Sequence, residues 1–211
     1  LKTTQNVFAA LLTGAISTIA SSAIAQEVLK WGHVYESATP YHQAALMAAT
    51  EFEAATNGRY KIEVFPASQL GKEVALNEGL SLGTVDIIYT GVAFMGQSYP
   101  PIAISDFPFT MRDFDHWAAY SESDLFSELA QAYTGITGNH VVNLTYYGAR
   151  HVTANKPILT PADMVDLKIR TPNAPAYQMF PEITGANPTP MAFSEVYLAL
   201  QQGVVDAQEN P

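Results

Sequence analysis

Apolar and polar residues alternate along the first part of the chain in a pattern that predicts strand, helix, strand, helix and strand. Strands are predicted at three short apolar segments: residues 28–34, 60–65 and 85–90. A helix is predicted from Pro40 to a stop at Asn57-Gly58, and a second one over residues 72–82, ended by Gly83. This order is typical of a parallel sheet covered by helices.

The pattern becomes irregular after residue 90 and returns to alternating elements near residue 140. Helices are predicted at five places: residues 113–120, residues 124–133, after Thr160-Pro161, after the turn at 172–175 and before Gly203. Strands are predicted at residues 140–147, 149–154, 167–171 and 204–208, and residues 186–191 are predicted to be extended. Gly148 breaks the first of these strands, so we place the crossover between two α/β lobes there, with lobes at residues 26–147 and 148–211.

Two of the predicted helices carry an amphipathic pattern. Apolar residues spaced three and four apart define a face in each helix. In the first helix these residues are Ala44, Met47, Ala48 and Phe52. In the helix capped by Gly203 they are Phe193, Val196, Tyr197 and Leu200.

The first 25 residues form a separate segment. Lys2 gives a positive start, residues 7–24 are mainly apolar, and Ala23-Ile24-Ala25 places small residues at the two positions that a signal peptidase reads. A membrane anchor is the alternative, but Ser, Thr and Gly interrupt the apolar stretch. The segment therefore predicts a secretory signal peptide cleaved before Gln26. No later segment is long and apolar enough to span a bilayer.

Composition excludes several kinds of function. The net charge is −10, with ten lysine and arginine residues in the whole chain, so a dense basic surface for nucleic acid is not expected. The chain has no cysteine, which excludes disulfides, thiolate metal sites and cysteine nucleophiles. No spacing of residues predicts a metal site or a cofactor. The scarcity of arginine makes each arginine informative.

Candidate chemistry lies where the predicted strands end, because open α/β sheets bind ligands beyond the carboxyl ends of their strands. Arg170 ends one strand, just before a helix that opens at Asn173-Ala174, so a guanidinium and free helix N–H groups could meet one anion. Gln208-Glu209-Asn210 follows the last strand and shares a crevice with Arg170 if the two strands are neighbours. Arg150 follows the crossover. The alternatives are a surface arginine, a salt bridge, a solvated loop and, for Phe193, a core position.

Catalytic motifs are weaker. His33 and Glu36 flank a strand end, and Asp113, Asp115 and His116 lie close together, but neither spacing fits a zinc helix or a calcium loop. We interpret both groups as structural. The residues alone therefore predict an exported, two-lobed α/β protein that binds a small anion.

From Gly148 onward the chain resembles the DctP family of periplasmic substrate-binding proteins of TRAP (tripartite ATP-independent) transporters. The matching segments are GARHVTANKPILTPADMVDLKIRTPNAPAY and GANPTPMAFSEVYLALQQGVVDAQENP, and KIEVFPASQLGKEVALNEGLSLGTVDI also fits. The resemblance implies a non-enzymatic periplasmic protein that binds organic anions between two α/β lobes and delivers them to a membrane permease. Family members continue past Q-E-N-P, so we expect the second lobe to be incomplete at Pro211.

The resemblance also implies roles for particular residues. Arg170, in K-I-R-x-P-N, matches the principal carboxylate clamp of the family, and Arg150, in G-x-R, matches a supporting ligand contact. Asn173, Phe193 and Asn210 match residues that line the ligand in sialic-acid-type members.

Departures from the family pattern leave the ligand open. Sialic-acid-type members carry a glutamate after the strand at residues 85–90, where this chain has Gly91-Val92, and the loop at residues 33–36 also differs. A dicarboxylate, a sugar acid or another small monocarboxylate is expected instead. Two other functions stay open at this point: a secreted hydrolase or lyase that uses His33, Glu36 or the Asp113 group, and a sensor with the same fold.

Overall fold

The computed structural model describes residues 25–211, so the predicted signal peptide lies outside the described residues except for Ala25. The strands of this part of the chain are β1 Glu27–Gly32, β2 Tyr60–Phe65, β3 Ile87–Ile88, β4 His151–Ala154, β5 Lys168–Thr171, β6 Asn187–Pro190 and β7 Ala207–Asn210. The α-helices are α1 Pro40–Ala55, α2 Glu73–Leu82, α3 Val92–Met95, α4 Phe114–Ser121, α5 Asp124–Thr137, α6 Pro175–Ile183 and α7 Val196–Gln201. Short 3-10 helices span Pro100–Asp106, Pro161–Met164 and Phe193–Glu195. Within residues 25–211 no helix has the length and hydrophobicity needed to span a bilayer.

The first lobe, residues 27–137, is built on a parallel three-stranded sheet with the order β2-β1-β3. Trp31 of β1 lies opposite Val64 of β2 on one side and Ile87 of β3 on the other. Parallel neighbours require crossover connections, which α1 and α2 provide. The predicted alternation of strands and helices is confirmed. The third strand is shorter than predicted, because the chain turns after Ile88 toward α3.

The buried face of α1 differs from the predicted one. His42, Ala45 and Ala49 are buried, whereas Met47 is 65% exposed and Phe52 is 38% exposed. Residues 44–49 are all apolar, so the sequence pattern does not define a unique face. The small side chains at 45 and 49 face the core because they let the helix approach the sheet closely.

The second lobe, residues 151–210, has a four-stranded sheet with the order β4-β7-β5-β6. β5 lies between β7 and β6 and is parallel to both, whereas β4 is antiparallel to β7. Ile169 and Ala207 are fully buried at the centre of this sheet. The strand that carries Arg170 is therefore a direct neighbour of the strand that carries Gln208. The shared crevice predicted from the sequence depends on this pairing.

One strand prediction after residue 137 is wrong, and another strand is found with shifted bounds. Residues 140–147 form no strand, and their Val141 and Leu144 side chains pack instead on an apolar cluster that includes Ile102. β-branched and aromatic residues favour a strand only where a partner strand is available, and none pairs with this segment within residues 25–211. The last strand begins at Ala207 rather than at residue 204, so the Gln-Glu-Asn group lies within it.

Helix ends follow their sequence signals more closely than helix faces do. Gly83, predicted to end α2, has a left-handed conformation with φ of 70°. The helix predicted after Thr160 is a four-residue 3-10 helix, and Asp163 accepts a hydrogen bond from the Thr160 N–H at 2.7 Å as expected for a capping box. In α7 the predicted face is partly wrong, because Val196 is buried but Tyr197 is 78% exposed.

Contacts between the lobes are apolar and polar. One buried cluster contains Ala93 and Phe94 of the first lobe with Ala174, Ala176 and Tyr177 of the second. The Tyr177 hydroxyl donates a hydrogen bond to the Asp106 carboxylate at 2.7 Å. Gly91 makes this contact possible, because a Cβ at this position would lie 2.5 Å from the Tyr177 hydroxyl oxygen. The packing of the two lobes thus places the carboxyl ends of their sheets toward each other.

Candidate functional site: an arginine pair between the lobes

The register of the second sheet brings together two arginines that are distant in sequence. Arg170 of β5 lies opposite Gln208 of β7. Arg150 immediately precedes β4, whose first residue, His151, lies opposite Asn210. Because β7 pairs with both β5 and β4, it holds Arg170 on one side and Arg150 on the other.

Arg170 is a buried cation without an acidic partner. Arg170 is 1% exposed, and its Nε and Nη2 atoms donate hydrogen bonds to the carbonyl of Met191 at 3.1 and 2.9 Å. Among residues 25–211 it forms no ion pair. Burial lowers the pKa of the Arg170 guanidinium, and the charges of Glu73 and Glu209 oppose this shift. A buried charge is costly unless an opposite charge approaches it, so this position is suited to an anion.

Arg150 is engaged differently. Its guanidinium forms an ion pair with Glu209 through Nε, and Nη2 donates hydrogen bonds to Glu209 Oε1 and to the Glu209 carbonyl, each at 2.8 Å. The guanidinium lies over the Tyr177 ring, with 4.7 Å from Cζ to the ring centroid. Burial lowers the pKa of Arg150, but the hydrogen bond and charge of Glu209 outweigh it and the net pKa is raised. Arg150 is therefore a fixed and charge-compensated group.

Sequence reasoning placed Glu209 in the polar group at residues 208–210 but gave it no role of its own. It is 6% exposed, and burial raises its pKa while the guanidinium of Arg150 opposes the rise. The signal in the sequence was an acid inside a polar group, but only the pairing of β4 with β7 shows that its partner is Arg150.

The three remaining predicted residues lie around the same region. Asn210 accepts a hydrogen bond from Arg150 Nη2 at 3.4 Å and donates to Gln208 Oε1 at 2.7 Å. The Phe193 ring centroid lies 5.9 Å from Cζ of Arg170. Asn173 is exposed, and its carbonyl accepts a hydrogen bond from Gln97 of the first lobe at 3.3 Å. The structure thus brings all five predicted residues to one end of the second sheet.

The helix start next to Arg170 is not an open set of N–H donors. α6 begins at Pro175, which has no N–H, and the Ala174 N–H already donates to the Pro172 carbonyl at 2.9 Å. The expectation that helix N–H groups at Asn173-Ala174 would join Arg170 is therefore wrong for Ala174. The positive charge at this end of the site comes from the guanidinium.

The first lobe and the linking segment contribute an aromatic wall. The ring centroid of Tyr35 lies 5.0 Å from that of Tyr41 and 5.6 Å from that of Tyr147, and Tyr41 lies 5.1 Å from Tyr147. Burial, together with Tyr147 and Glu73, raises the pKa of Tyr35 far above its usual value, and Arg150 opposes this rise. Neutral tyrosine hydroxyls near the arginines can both donate and accept hydrogen bonds.

A cavity of about 250 Å³ opens between the lobes, and its lining includes Met191, whose carbonyl accepts the hydrogen bonds of Arg170. Glu73 at the start of α2 lines it from the first lobe, and Asn173 and Met191 line it from the second. The ion pair between Lys72 and Glu195, at 2.6 Å, links the lobes at its edge. Its volume lies just below the range of about 300–1,000 Å³ that is common for ligand cavities, so the cavity is suited to a ligand at the small end of that range. Another cavity, of about 290 Å³, is lined mainly by residues of α7 and its flanks, and neither arginine is among the residues that line the two cavities.

His33, a catalytic candidate in the sequence, is fully buried in the first lobe. Its Nε2 atom lies 3.1 Å from Nδ1 of His42 on α1. Burial and the neighbouring His42 lower the pKa of His33 from 6.5 to about 4. A fully buried histidine in contact with a second buried histidine ring is a packing and hydrogen-bonding element, which agrees with the structural interpretation.

Among the other catalytic candidates, Asp113 has a structural role. The Asp113 carboxylate accepts a hydrogen bond from the His116 N–H at 2.8 Å and caps α4, and Glu36 is exposed. Within residues 25–211 no group of three or more His, Asp or Glu side chains could hold a metal ion.

Comparison with known proteins gives the family. Residues 31–211 match the family described as bacterial extracellular solute-binding protein, family 7, or DctP. The chain belongs to this family. A solute-binding protein of Roseobacter denitrificans is 36% identical over 203 residues, which are 96% of this chain and 62% of that protein. The sialic acid-binding periplasmic protein SiaP of Vibrio cholerae is 35% identical over 211 residues, which are 100% of this chain and 65% of that protein.

Solved structures of TRAP periplasmic solute-binding proteins have the same fold. The protein from Polaromonas sp. JS666 bound to D-erythronate has a TM-score of 0.83 and 35% identity over 88% of this chain and 61% of its own. The protein from Roseobacter denitrificans with bound L-galactonate has a TM-score of 0.84 and 36% identity over 88% of this chain and 62% of its own. The predicted α/β, periplasmic-binding-protein-like fold is thereby confirmed. The chain spans about three fifths of the length of these relatives.

Proposed function

We propose that the protein is an extracytoplasmic solute receptor that binds a small organic carboxylate between its lobes for delivery to a TRAP-type transporter. The observation that carries this proposal is Arg170, a buried guanidinium held by a backbone carbonyl and free of any ion pair within residues 25–211. A ligand carboxylate supplies the missing negative charge. The two lobes are residues 26–147 and 148–211, joined at Gly148, which has a φ of 114° that favours glycine.

Each of the five predicted residues has a role in this proposal. Arg170 clamps the carboxylate, and Arg150 supports it from the other side of β7, oriented by Glu209 and Tyr177. Asn210 and Asn173 offer polar contacts, and Phe193 packs between Arg170 and the first lobe.

Relatives support an organic acid as the ligand. The two structures compared above contain D-erythronate and L-galactonate, and a further one, 33% identical, contains succinate. SiaP is named for sialic acid. Sialic acid is not favoured for this chain, because Gly91 occupies the region where sialic-acid-type members carry a glutamate and its space is filled by the Tyr177 hydroxyl.

The proposal includes a periplasmic location, permease subunits as partners and no catalysis. Cleavage of the signal peptide before Gln26 in a Gram-negative host would give a mature chain that begins at Gln26 or Glu27. N-terminal sequencing of the periplasmic fraction tests this, and soluble periplasmic protein that retains Leu1 would contradict it.

Binding is tested by a thermal-shift screen of the full-length protein against organic acids, followed by calorimetry. Stoichiometric binding of a ligand that mass spectrometry recovers unchanged is expected. Conversion of the bound acid would show an enzyme instead, and the absence of binding to any organic acid would overturn the proposed function.

A further inference from the structure

The charges around the site are unevenly compensated. Arg150 already has a carboxylate, because Glu209 forms an ion pair with it and accepts hydrogen bonds from Nη2 through Oε1 and the backbone carbonyl. Both groups are largely buried, with 26% and 8% of their side chains exposed. The net charge of this ion pair is near zero, so it does not balance the charge of a ligand beside it.

Arg170 is the remaining cation at the centre. Its two hydrogen bonds go to the neutral carbonyl of Met191, and Nη1 donates none within the described residues. A planar guanidinium can make two parallel hydrogen bonds to one carboxylate. The second lobe therefore provides one positive charge without an ion-pair partner among the described residues, and this charge can balance one ligand carboxylate.

On the opposite side of the cleft, none of the described residues that line the cavity offers an unpaired cation to a second carboxylate. Lys72 is the sole basic residue among those that line the cavity of about 250 Å³, and it is paired with Glu195 at 2.6 Å. Its neighbour Glu73 lines the cavity with a negative charge close enough to influence both Arg170 and Tyr35. A second carboxylate at this side would meet Glu73 and the tyrosine wall.

The same side is well supplied with groups for hydroxyls. A carboxylate such as Glu73 accepts hydrogen bonds, and the hydroxyls of Tyr35, Tyr41 and Tyr147 both donate and accept them. Tyrosine rings also pack against the C–H faces of a carbohydrate chain, and these three lie within 5.0–5.6 Å of one another. Hydroxyl groups of a ligand can form hydrogen bonds with Glu73 and the tyrosines, and they bring no second negative charge into the site.

We infer that the ligand is a monocarboxylate whose far end carries hydroxyl groups, and that dicarboxylates of the same skeleton are rejected. This inference rests on the proposed function and narrows its ligand class. Glu73 is the specificity-determining residue, because it sets a negative charge where a second carboxylate would lie.

The experiment uses pairs of acids that differ at one carbon. D-Erythronate is paired with meso-tartrate, L-galactonate with galactarate, and D-gluconate with D-glucarate; in each pair a terminal hydroxymethyl group replaces a carboxylate. Calorimetry on the full-length protein is expected to give at least a tenfold weaker Kd for the diacid in every pair that binds. A diacid that binds as tightly as its partner would overturn the inference and leave the proposed receptor function intact. Failure of all six acids and of the wider organic-acid screen would instead overturn the proposed function.

Variants at α2 test the assigned residue. Glu73→Gln removes the charge and should reduce the preference for the monoacid at least threefold, and Glu73→Lys should reduce it further by adding a cation. Glu78→Lys makes the same change in charge elsewhere on the same helix, away from the cavity lining, so it should leave the preference unchanged. An unchanged preference in a folded Glu73→Gln protein would overturn the role of Glu73, and equal shifts in the Glu73→Lys and Glu78→Lys variants would show a general charge effect instead.

Discussion

At the scale of single residues, the site depends on what each arginine already contacts. Arg150 and Arg170 flank the same strand, but one has a carboxylate partner and the other has only a carbonyl. Equal charge in the sequence therefore gives unequal roles in the structure. Arg170 should dominate ligand affinity.

Arg170→Lys tests this difference. Lysine keeps the charge but loses the planar fork, and a charge-assisted hydrogen bond contributes roughly 1.5–3 kcal/mol. Affinity for an identified organic acid should fall about ten- to hundredfold in calorimetry, since ~1.4 kcal/mol is a factor of ten. Arg150→Lys should have a milder effect on affinity, and Arg59→Lys, at an exposed residue beside Tyr60, should have none. Equal affinities of wild type and Arg170→Lys would refute the clamp.

The lowered pKa of His33 predicts that folding stability depends on pH. Its folded pKa of about 4 is below the ordinary 6.5, so the unfolded chain binds a proton more readily between these values. The contribution is fully present above pH 6.5 and is lost as the pH falls toward 4, by up to ~3 kcal/mol in free energy of unfolding. Urea denaturation should show a smaller loss from pH 7 to 4.5 in His33→Asn. His140→Asn, at an exposed histidine, is the control and should follow the wild type.

At the scale of elements, glycines and helix ends decide where the lobes can meet. Gly91 precedes α3 and faces Tyr177 of α6, whose hydroxyl binds Asp106. Tyr177 in turn lies under Arg150. The absence of a side chain at Gly91 in the first lobe thus leaves room for Tyr177, which supports Arg150 in the second lobe.

Gly91→Ala should disrupt this support. The added Cβ would lie 2.5 Å from the Tyr177 hydroxyl, so the ring must move and lose its hydrogen bond to buried Asp106. We expect a loss of about 1–3 kcal/mol in free energy of unfolding, the usual cost of an unsatisfied buried polar group. Gly135→Ala in α5 has open space around the new Cβ and should be neutral or stabilising. Comparable unfolding free energies for wild type and Gly91→Ala would show that the interface adapts without cost.

At the scale of the whole molecule, the second lobe reaches the first through Phe193. Its ring packs on the cluster of Val34, Leu76 and Val85 while its centroid stays 5.9 Å from the Arg170 guanidinium. Phe193 therefore links closure of the lobes to the site, alongside the Tyr177–Asp106 and Lys72–Glu195 contacts.

Phe193→Ala should weaken ligand binding and favour an open arrangement. Removal of the ring deletes apolar contact between the lobes, and a large-to-small change at a partly buried aromatic residue costs up to about 3 kcal/mol. Calorimetry should show at least tenfold weaker binding, and small-angle scattering should show a smaller ligand-induced decrease in radius of gyration. Tyr197→Ala, at a 78% exposed aromatic residue nearby, should change neither. If both variants bind like the wild type, Phe193 does not link closure to binding.

The sequence by itself determined those strands and helix ends that depend on neighbouring residues along the chain. Alternating and apolar segments predicted β1, β2 and β5, Gly83 ended α2, and motif resemblance selected the five site residues. The faces of α1 and α7 could not be predicted, because runs of apolar residues offer several faces and only packing chooses one. Residues 140–147 have a strand-like composition, but a strand exists only with a partner.

Only the tertiary structure decided how the charges pair. The sequence shows Arg150, Arg170 and Glu209 as three separated ionisable residues, and spacing along the chain does not reveal which guanidinium meets the carboxylate. The antiparallel pairing of β4 with β7 places Arg150 at Glu209, whereas the parallel pairing with β5 leaves Arg170 opposite Gln208 and bound to a carbonyl. Electrostatic partners depend on distances across the sheet, so the difference between a compensated and an available arginine arises in three dimensions.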